Sequence, residues 1–586
     1  MSKKTIPIFY ACDDNFVKFT IVSLTSIMKN ASKDRDYTVH VLHTGISEEM
    51  QRLMLDMQNE NFKIHFDNVS EYLESISDRL PIRHYYTKST YYRLFIAEMH
   101  PYYDKAIYID SDTIVMGDIS KLYDTELGDL LVGACHEQAM VQVDVYGTYA
   151  ERVVGVSRHN FFNAGMILIN AKAWREKKML DRFIHYLGEY NFVVTQDEDY
   201  LNLICKDWVY WLDQRWNTEL TEGIVYPYDI NEAHILHYIM VNKPWRYENC
   251  RGADIFWSYA KETPVFDVLR AELEAYTDKE REKDRASAEN LMQMARDEIA
   301  NENNYQNILN RTRRNPDRVA VQKKIEEYEN AGTFDIDVED DPPTKELLPN
   351  KIDYLRKSPI AKFKSFIAYL KAKKFLHHIL DNRLMIIRDI RGLENLQNLD
   401  TGAVLTCNHF NPFDTFAVHK AFLESGESKK RQLYRVIREG NYTSFPGFYG
   451  YLMRHFYTLP LSSNTATMRK FTKAVDTLLK DGNFILIYPE QSMWYNYRKP
   501  KPLKIGAYSI AVKNNVPVVP MFITMKDSET LGDDGYPIQE YTINIGKPIY
   551  PDGELDKKAR IDSMMDENSR VWKEIYENDY NMPLTY

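Results

Sequence analysis

Ala106-Ile107-Tyr108-Ile109-Asp110-Ser111-Asp112 is a run of four apolar positions closed by a pair of carboxylates. Ala403-Val404-Leu405-Thr406-Cys407-Asn408-His409, followed by Asp414, follows the same plan with an imidazole. A short apolar run bounded by polar residues reads as a strand buried on both faces. Side chains at the carboxyl end of such a strand stand where open α/β sheets bind ligands. Around the first run, Ile6–Phe9, Val39–Leu42, Val132–Ala134 and Met166–Ile169 read as further strands. Thr20–Lys29, Ser47–Asn59 and Tyr91–Glu98 read as helices between them. Around the second, from Met385 to about Ile549, Val404-Leu405, Ile485–Ile487 and Val518–Ile523 are predicted strands separated by helices. This alternation predicts two α/β domains with largely parallel sheets.

A chain of 586 residues is too long for one ordinary core, and 44% hydrophobic with 27% charged residues is a globular composition in which neither half need be disordered. The formal net charge of −11 excludes the basic footprint of a general nucleic-acid binder. Cys12, Cys135, Cys205, Cys250 and Cys407 are odd in number and scattered, which predicts reduced, intracellular usage rather than a disulfide framework. No signal peptide is expected behind Met1-Ser2-Lys3-Lys4-Thr5, because no long apolar stretch precedes Asp13-Asp14. No run of apolar residues is long enough to span a bilayer, so any membrane contact is expected to be peripheral.

Four segments follow. Residues 1–262 form the first domain and residues 263–350 a charged helical connector, rich in Glu, Arg and Asn and ending in Glu339-Asp340-Asp341-Pro342-Pro343. That composition predicts a solvated linker with a flexible end rather than a third core. Residues 351–383 are basic, and residues 384–586 form the last domain. In the basic segment Ser358 can cap a helix with Pro359 in its first turn. Ile360, Phe363, Ile367 and Leu370 then share a face flanked by Lys362, Lys364, Lys371, Lys373 and Lys374. Such a helix either lies in an anionic membrane interface or packs on the domain that follows.

At the first site, paired carboxylates at a strand end suit a divalent ion that neutralises a leaving diphosphate. The residues around them resemble retaining glycosyltransferases of family 8. Ala11-Cys12-Asp13-Asp14-Asn15 resembles the family's uracil and ribose contact, and Arg93 in Tyr91-Tyr92-Arg93-Leu94 its arginine position. Phe162-Asn163-Ala164-Gly165-Met166 resembles the sugar-facing segment, and Gln196-Asp197-Glu198-Asp199 with Leu201-Asn202 the acceptor-side motif. His237 with Lys243-Pro244-Trp245 completes the set at the family's own spacing. The resemblance implies a Rossmann-like domain of GT-A type using a UDP-hexose. It implies that Asp110, Asp112 and His237 ligate the metal, and a nitrogen ligand beside carboxylates favours Mn²⁺ over Mg²⁺. Lys243 would hold diphosphate, and Ala11, Asp13, Asn15, Arg93, Asn163 and Asp197 would bind nucleotide and sugar. Two positions depart from the family. Glu198 stands where a bacterial galactosyltransferase of the family has Gln, and can serve as nucleophile, as ion-pair partner of an oxocarbenium state, or as acceptor contact. Met240 stands where the family has Gly.

At the second site, acyl transfer to a hydroxyl needs a base and a carboxylate to orient it, the types supplied by His409 and Asp414. Asn411 reads as a helix N-cap and Pro412 as the first helical residue, which puts His409 in the turn and Asp414 in the first helical turn. From about Leu384 onward the chain is similar to glycerolipid acyltransferases related to lysophosphatidate acyltransferase. Asn408-His409 with Asp414 meets their hallmark, Tyr488-Pro489-Glu490 resembles their third motif, and Val516-Pro517-Val518-Val519-Pro520 their fourth. Glu490 is accordingly counted among the catalytic candidates with His409, Asp414 and Glu198. The departures lie at the acceptor side. Gln491-Ser492-Met493 replaces Gly-Thr-Arg, and Tyr457-Thr458-Leu459-Pro460 lacks the second motif's arginine. Arg498, Lys499, Lys501 or Lys504 can substitute as the phosphate cation.

Together these readings give an α/β bifunctional enzyme, cytoplasmic and peripheral to the membrane, making an acylated glycolipid or glycoconjugate. Its expected partners are a UDP-hexose, acyl-CoA or acyl carrier protein, and a lipid or glycan acceptor. The alternative is a glycosyltransferase whose acyltransferase fold only binds lipid.

Overall fold

The computed structural model describes residues 5–75, 89–339, 344–397 and 399–586. The chain divides into two compact units, Met1–Leu309 and Asn310–Tyr586.

The first unit is built on strands β1 (Thr5–Ala11), β2 (Asp36–His43), β3 (Phe62–Asn68), β4 (Ala106–Ile109), β6 (Val132–His136), β7 (Phe162–Ile169) and β8 (Val209–Trp211). They form one sheet in the order β3-β2-β1-β4-β7-β6-β8. Neighbours are parallel except β7, which runs against both β4 and β6. Successive residues feed opposite faces: Phe9, Tyr108 and Ile167 join one core, and Ile8, Ile107 and Met166 the other. That double burial is why these strands read as continuous apolar runs. A smaller sheet, in the order β5-β10-β9, joins β5 (Thr113–Val115), β9 (Thr218–Glu219) and β10 (Ile235–His237), and it brings His237 opposite Thr113 just after Asp112. The expected helix Thr20–Lys29 lies within Val17–Asn30, whereas Tyr91–Glu98 is mostly a 3₁₀ turn, Ser89–Phe95, followed by the short helix Ile96–Met99.

The second unit carries β11 (Ile386–Arg391), β12 (Ala403–Thr406), β13 (Leu433–Ile437), β14 (Thr458–Pro460), β15 (Phe484–Ile487), β16 (Val518–Leu531) and β17 (Pro537–Ile545). Their order is β11-β17-β16-β12-β15-β13-β14, all parallel except the β16–β17 pair. Val404, Ile485 and Val518 pack on one face, and Leu405, Leu486 and Val519 on the other.

The expected solvated connector, 263–350, is corrected, because its sparse apolar residues are used by both units. Helix Asp278–Ala300 and the turn after it bury Ala295 and Tyr305 in the first unit's core, where Tyr305 meets Tyr186, Tyr190 and Phe192 edge-on or tilted. Helix Pro316–Asn330 and the turns after it bury Val321, Ile325 and Val338 against Trp494 and Tyr497 in the second unit. A polar composition concealed these contacts because each helix needs only one or two apolar residues to dock. The Asp340-Asp341-Pro342-Pro343 end of the expected connector lies outside the described residues.

The basic helix forms as Pro359–Asp381, with Ser358 accepting from the Ala361 amide and Pro359 in the first turn. It packs through Ala368, Ala372, Leu376 and Ile379. Ile360, Phe363, Phe366 and Leu370 remain exposed beside the five lysines, while Ile367 is half-buried. The helix thus has one face packed on the domain that follows and one apolar face exposed.

Two residues that stand where the resembled families have glycine adopt a backbone that favours glycine. Met240 has φ +56° and Gln491 φ +65°. The left-handed region costs a residue with a side chain roughly 1–2 kcal/mol. Gln491 is exposed, so little packing offsets that cost. Gln491→Gly should therefore raise the stability of the full chain by roughly 0.5–1 kcal/mol in denaturant unfolding, after the larger unfolded-state entropy of glycine is subtracted. Gln491→Val should lower it. Equal unfolding midpoints for the two variants would show that the turn relaxes and stores no such strain.

Candidate active sites

In the first unit, the turn after β4 is fixed from several sides. The Asp110 amide donates to the Gly165 carbonyl (2.7 Å), the Tyr108 hydroxyl to Asp110 Oδ1 (2.6 Å), and the Tyr238 amide to the Asp112 carbonyl (2.9 Å). One ligand atom each of Asp110, Asp112 and His237 lies within 4.8 Å of the other two. His237 Nε2 is 3.2 Å from Asp112 Oδ1 and 3.8 Å from Asp110 Oδ2. Its Nδ1 is 3.0 Å from Asn217 Oδ1, an atom that only accepts, so Nδ1 carries a proton and Nε2 is the nitrogen turned to the two carboxylates. Gly165 leaves room for the group, since a Cβ there would lie 2.3 Å from His237 Cε1 and 2.6 Å from Asp110 Oδ2. Two carboxylates and a tautomer-fixed imidazole around a space kept clear of side chains fit a divalent transition-metal ion.

Lys243, expected to hold diphosphate, is paired with Asp112 and donates to the Tyr238 carbonyl. Lys243 and His237 hold the Asp112 carboxyl below its ordinary range against the opposing effect of burial. Arg93 is buried and reaches inward rather than outward: its Nε is 2.9 Å from Asp197, its guanidinium donates to the Ala164 carbonyl, and Asp110 lies 3.7 Å away. It thus ties the metal-facing and acceptor-side motifs together. Burial pushes the Asp197 carboxyl up to about 6 despite Arg93.

Asn163 Oδ1 accepts from the Gly165 amide and from Asn217 Nδ2, both at 2.9 Å, and its Nδ2 donates to Glu137. Glu198 accepts from the Ala164 amide at 2.7 Å. Burial first, and then Glu137, raises the Glu198 carboxyl well above its ordinary range. The buried Glu219 carboxyl is likewise raised, by burial first and then by Glu137. Glu137 and Asn217 are site residues that the sequence reading missed. Each is a single polar residue with no motif of its own, and only the antiparallel β6–β7 pairing brings Glu137 to Asn163.

Ala11 ends β1 and Asp13 follows it, capping its own turn by accepting from the Phe16 amide. A cleft of about 440 Å³ opens there, lined by Cys12, Asp13, Thr44, Ser89, Thr90, Tyr92 and Gln196. Asn15 is exposed in the same turn.

In the second unit, His409 follows β12, and its Nδ1 is 2.7 Å from Asp414 Oδ2. That oxygen also accepts from the Phe410 and Asn411 amides, and Oδ1 accepts from the Tyr488 hydroxyl at 2.7 Å. Four donors on one buried carboxylate fit its ionised form. The Tyr488 ring stacks on the imidazole with centroids 4.1 Å apart. The helix begins two residues later than expected, at Asp414. Asn411 closes the preceding turn instead, its Oδ1 accepting from the Phe413 amide at 2.8 Å.

Glu490 is not poised to react. It is buried, and its two oxygens accept from the His409 amide (3.0 Å) and the Lys501 amide (2.9 Å). It positions the His409 turn. The four proposed substitute cations also have partners: Arg498 with Asp527, Lys499 with Glu329, Lys501 with Glu490 and Ser492, and Lys504 with Asp335.

All five cysteines are free. Among the described residues, no helix is long and apolar enough to cross a membrane.

Comparison with known proteins agrees with both halves. Residues 7–249 match Glycosyl transferase family 8, and residues 387–524 match the Acyltransferase family. General stress protein A of Bacillus subtilis is 26% identical over 232 residues, covering 37% of this chain and 76% of the relative. Lipopolysaccharide 1,3-galactosyltransferase of Salmonella typhimurium is 28% identical over 254 residues, covering 41% and 72% respectively. The solved structure of galactosyltransferase LgtC with donor and acceptor sugar analogues is 26% identical, covers 46% of this chain and all of that one, and superposes with a TM-score of 0.37. The chain thus joins a glycosyltransferase family 8 domain to an acyltransferase domain and is an enzyme with both transferase modules.

Proposed function

We propose that the first domain transfers a hexose from a UDP-sugar with retention, and that the second esterifies a hydroxyl with a fatty acyl group from acyl-CoA or acyl carrier protein. The product is an acylated glycolipid or glycoconjugate. The observation that supports this reading is that each domain holds an imidazole by Nδ1 at a strand end, which leaves Nε2 as the nitrogen available to act.

In the first domain Asp110, Asp112 and His237 would hold Mn²⁺ or, less suited to the nitrogen ligand, Mg²⁺. When bound, the ion supplies positive charge to the departing diphosphate. Lys243 adds a second positive charge there, exchanging Asp112 for phosphate oxygen. Ala11, Asp13 and Asn15 border the nucleotide cleft. Arg93 orients Asp197, and Asn163 with Glu137 faces the sugar. Protonation favoured at Glu198 argues for a hydrogen bond to a sugar hydroxyl over the nucleophile's role.

In the second domain His409 Nε2 takes the acceptor hydroxyl's proton as its oxygen attacks the thioester carbonyl. The new C–O bond forms, the C–S bond breaks, and the proton passes to the departing thiolate. Asp414 stabilises the imidazolium formed in between, and Tyr488 fixes both partners. A fold that only bound lipid would have no use for this oriented base.

We place the enzyme at the cytoplasmic membrane surface through Ile360, Phe363, Phe366 and Leu370, with Phe448 and Tyr449 exposed nearby and joined to the helix by Phe375. Lysines beside exposed apolar side chains suit an anionic bilayer.

Two measurements on the full chain check these assignments. Asp110→Ala with Asp112→Ala should abolish metal-dependent hexose transfer and spare thiol release from the acyl thioester. His409→Ala should do the reverse, lowering acyl transfer by about 10²–10⁴-fold. Hexose transfer that survives the double substitution, or acceptor-dependent thiol release that survives His409→Ala, would contradict the corresponding site.

Changing Lys362, Lys364, Lys371, Lys373 and Lys374 to Glu should abolish co-sedimentation with anionic vesicles, since each basic residue near the surface contributes about 1 kcal/mol. Wild-type binding should weaken with salt. Equal sedimentation of the two proteins would make the exposed face a surface of another kind.

A further inference from the structure

The loop Gln491–Lys504 borders the His409 turn: the Trp494 amide donates to the His409 carbonyl (3.3 Å) and the Asn496 amide to the Phe410 carbonyl (2.9 Å). The loop carries Arg498, Lys499, Lys501 and Lys504, and Arg438 donates to its Gln491 carbonyl. A segment from earlier in the same unit is fastened across it. Ser492 donates to the Phe334 carbonyl (2.6 Å), Trp494 Nε1 to the Ile336 carbonyl (2.8 Å), and the Phe334 ring stacks on Trp494.

That segment brings three carboxylates. Asp337 engages Arg438 as a fork, with both guanidinium nitrogens on both carboxylate oxygens, and also accepts from the Met493 amide at 3.3 Å. Asp335 pairs with Lys504 at 3.2 Å, and Glu329 with Lys499. Of the remaining cations, Arg498 is held by Asp527 and Gln539, and Lys501 is only 2% exposed, bound to Ser492 and facing Glu490. An arginine fork combined with a backbone amide is also the arrangement that recognises a phosphate. Here an aspartate of the chain itself fills it.

Resting on the reading of His409 as the acyl-transfer base, we infer that the acceptor of this site carries no phosphate, and that Asp337, with Asp335 and Glu329, sets this specificity. The carboxylates satisfy the cations as an acceptor phosphate would, and they repel a phosphate that approaches. The class of acceptor that fits is a hydroxyl on an uncharged head, such as a sugar or glycerol hydroxyl of a neutral lipid.

The test uses the full chain and its Asp337→Asn variant, a nearly isosteric change that keeps an acceptor oxygen for the Met493 amide. Acyl-CoA is the donor, and monoacylglycerol is compared with monoacylglycerol 3-phosphate. Wild type should favour the uncharged acceptor in kcat/KM by about tenfold or more, and Asp337→Asn should narrow that ratio. Calorimetry with free glycerol 3-phosphate should show no binding to wild type and a gain in the variant. A wild type that prefers the phosphorylated acceptor, uses both alike, or binds glycerol 3-phosphate as well as the variant does overturns the inference. If neither acceptor is acylated, the reading of His409 fails. The calorimetry then still decides whether Asp337 occupies a phosphate site. If the variant does not fold, the wild-type ratio and its calorimetry decide.

Discussion

Both sites depend on one constraint: an imidazole at the end of a buried strand must be held by Nδ1 so that Nε2 is presented in a fixed direction. The partner on Nδ1 differs. His237 has the neutral amide of Asn217, His409 the carboxylate of Asp414. An amide fixes the tautomer without adding charge, which suits a ring meant to donate a lone pair to a cation. A carboxylate also stabilises the positive ring that forms when a proton is taken up, which suits a base. Under the proposed roles, one change of neighbour would suit the same side chain to two chemistries.

Holding these rings takes polar networks in places that would otherwise be apolar. From His237 the chain of contacts runs through Asn217 and Asn163 to Glu137 and Glu219. Burial pushes the surrounding carboxyls up, Asp197 to about 6 and Asp199 to about 7, because charge is poorly solvated there. Arg93 is the buried cation that compensates Asp197. In the second unit the comparable device is Glu490, whose carboxylate is held by two backbone amides and faces Lys501 at 3.6 Å. Both networks orient groups before substrate arrives, which is the arrangement that lowers reorganisation during reaction.

Much of this was legible in the sequence because strands buried on both faces leave uninterrupted apolar runs, and because Asp110, Asp112, His409 and Asp414 follow such runs closely. What was not legible depends on contacts distant in sequence. Glu137 and Asn217 matter only through what β7 and β10 bring to them. The helices of 263–330 looked solvated because Ala295, Tyr305, Val321 and Ile325 are few among many charges, yet each docks a helix. The carboxylates of Glu329, Asp335 and Asp337 read as part of a charged linker, and only the fold sets them on Lys499, Lys504 and Arg438. The helix starts late, at Asp414, because the Asn411 side chain closes the turn before it. At Met240 and Gln491 the sequence misleads the other way: a residue with a side chain adopts the left-handed backbone that glycine favours.

The most direct test of the shared constraint is a long-range ¹H–¹⁵N correlation spectrum of the histidine rings in the full chain, near neutral pH and without added metal. Substituting His237 and His409 singly assigns their signals. Both rings should carry a proton on Nδ1. A ring whose only proton is on Nε2, or one averaging between tautomers, would contradict the claim that Asn217 and Asp414 set the direction in which each histidine acts.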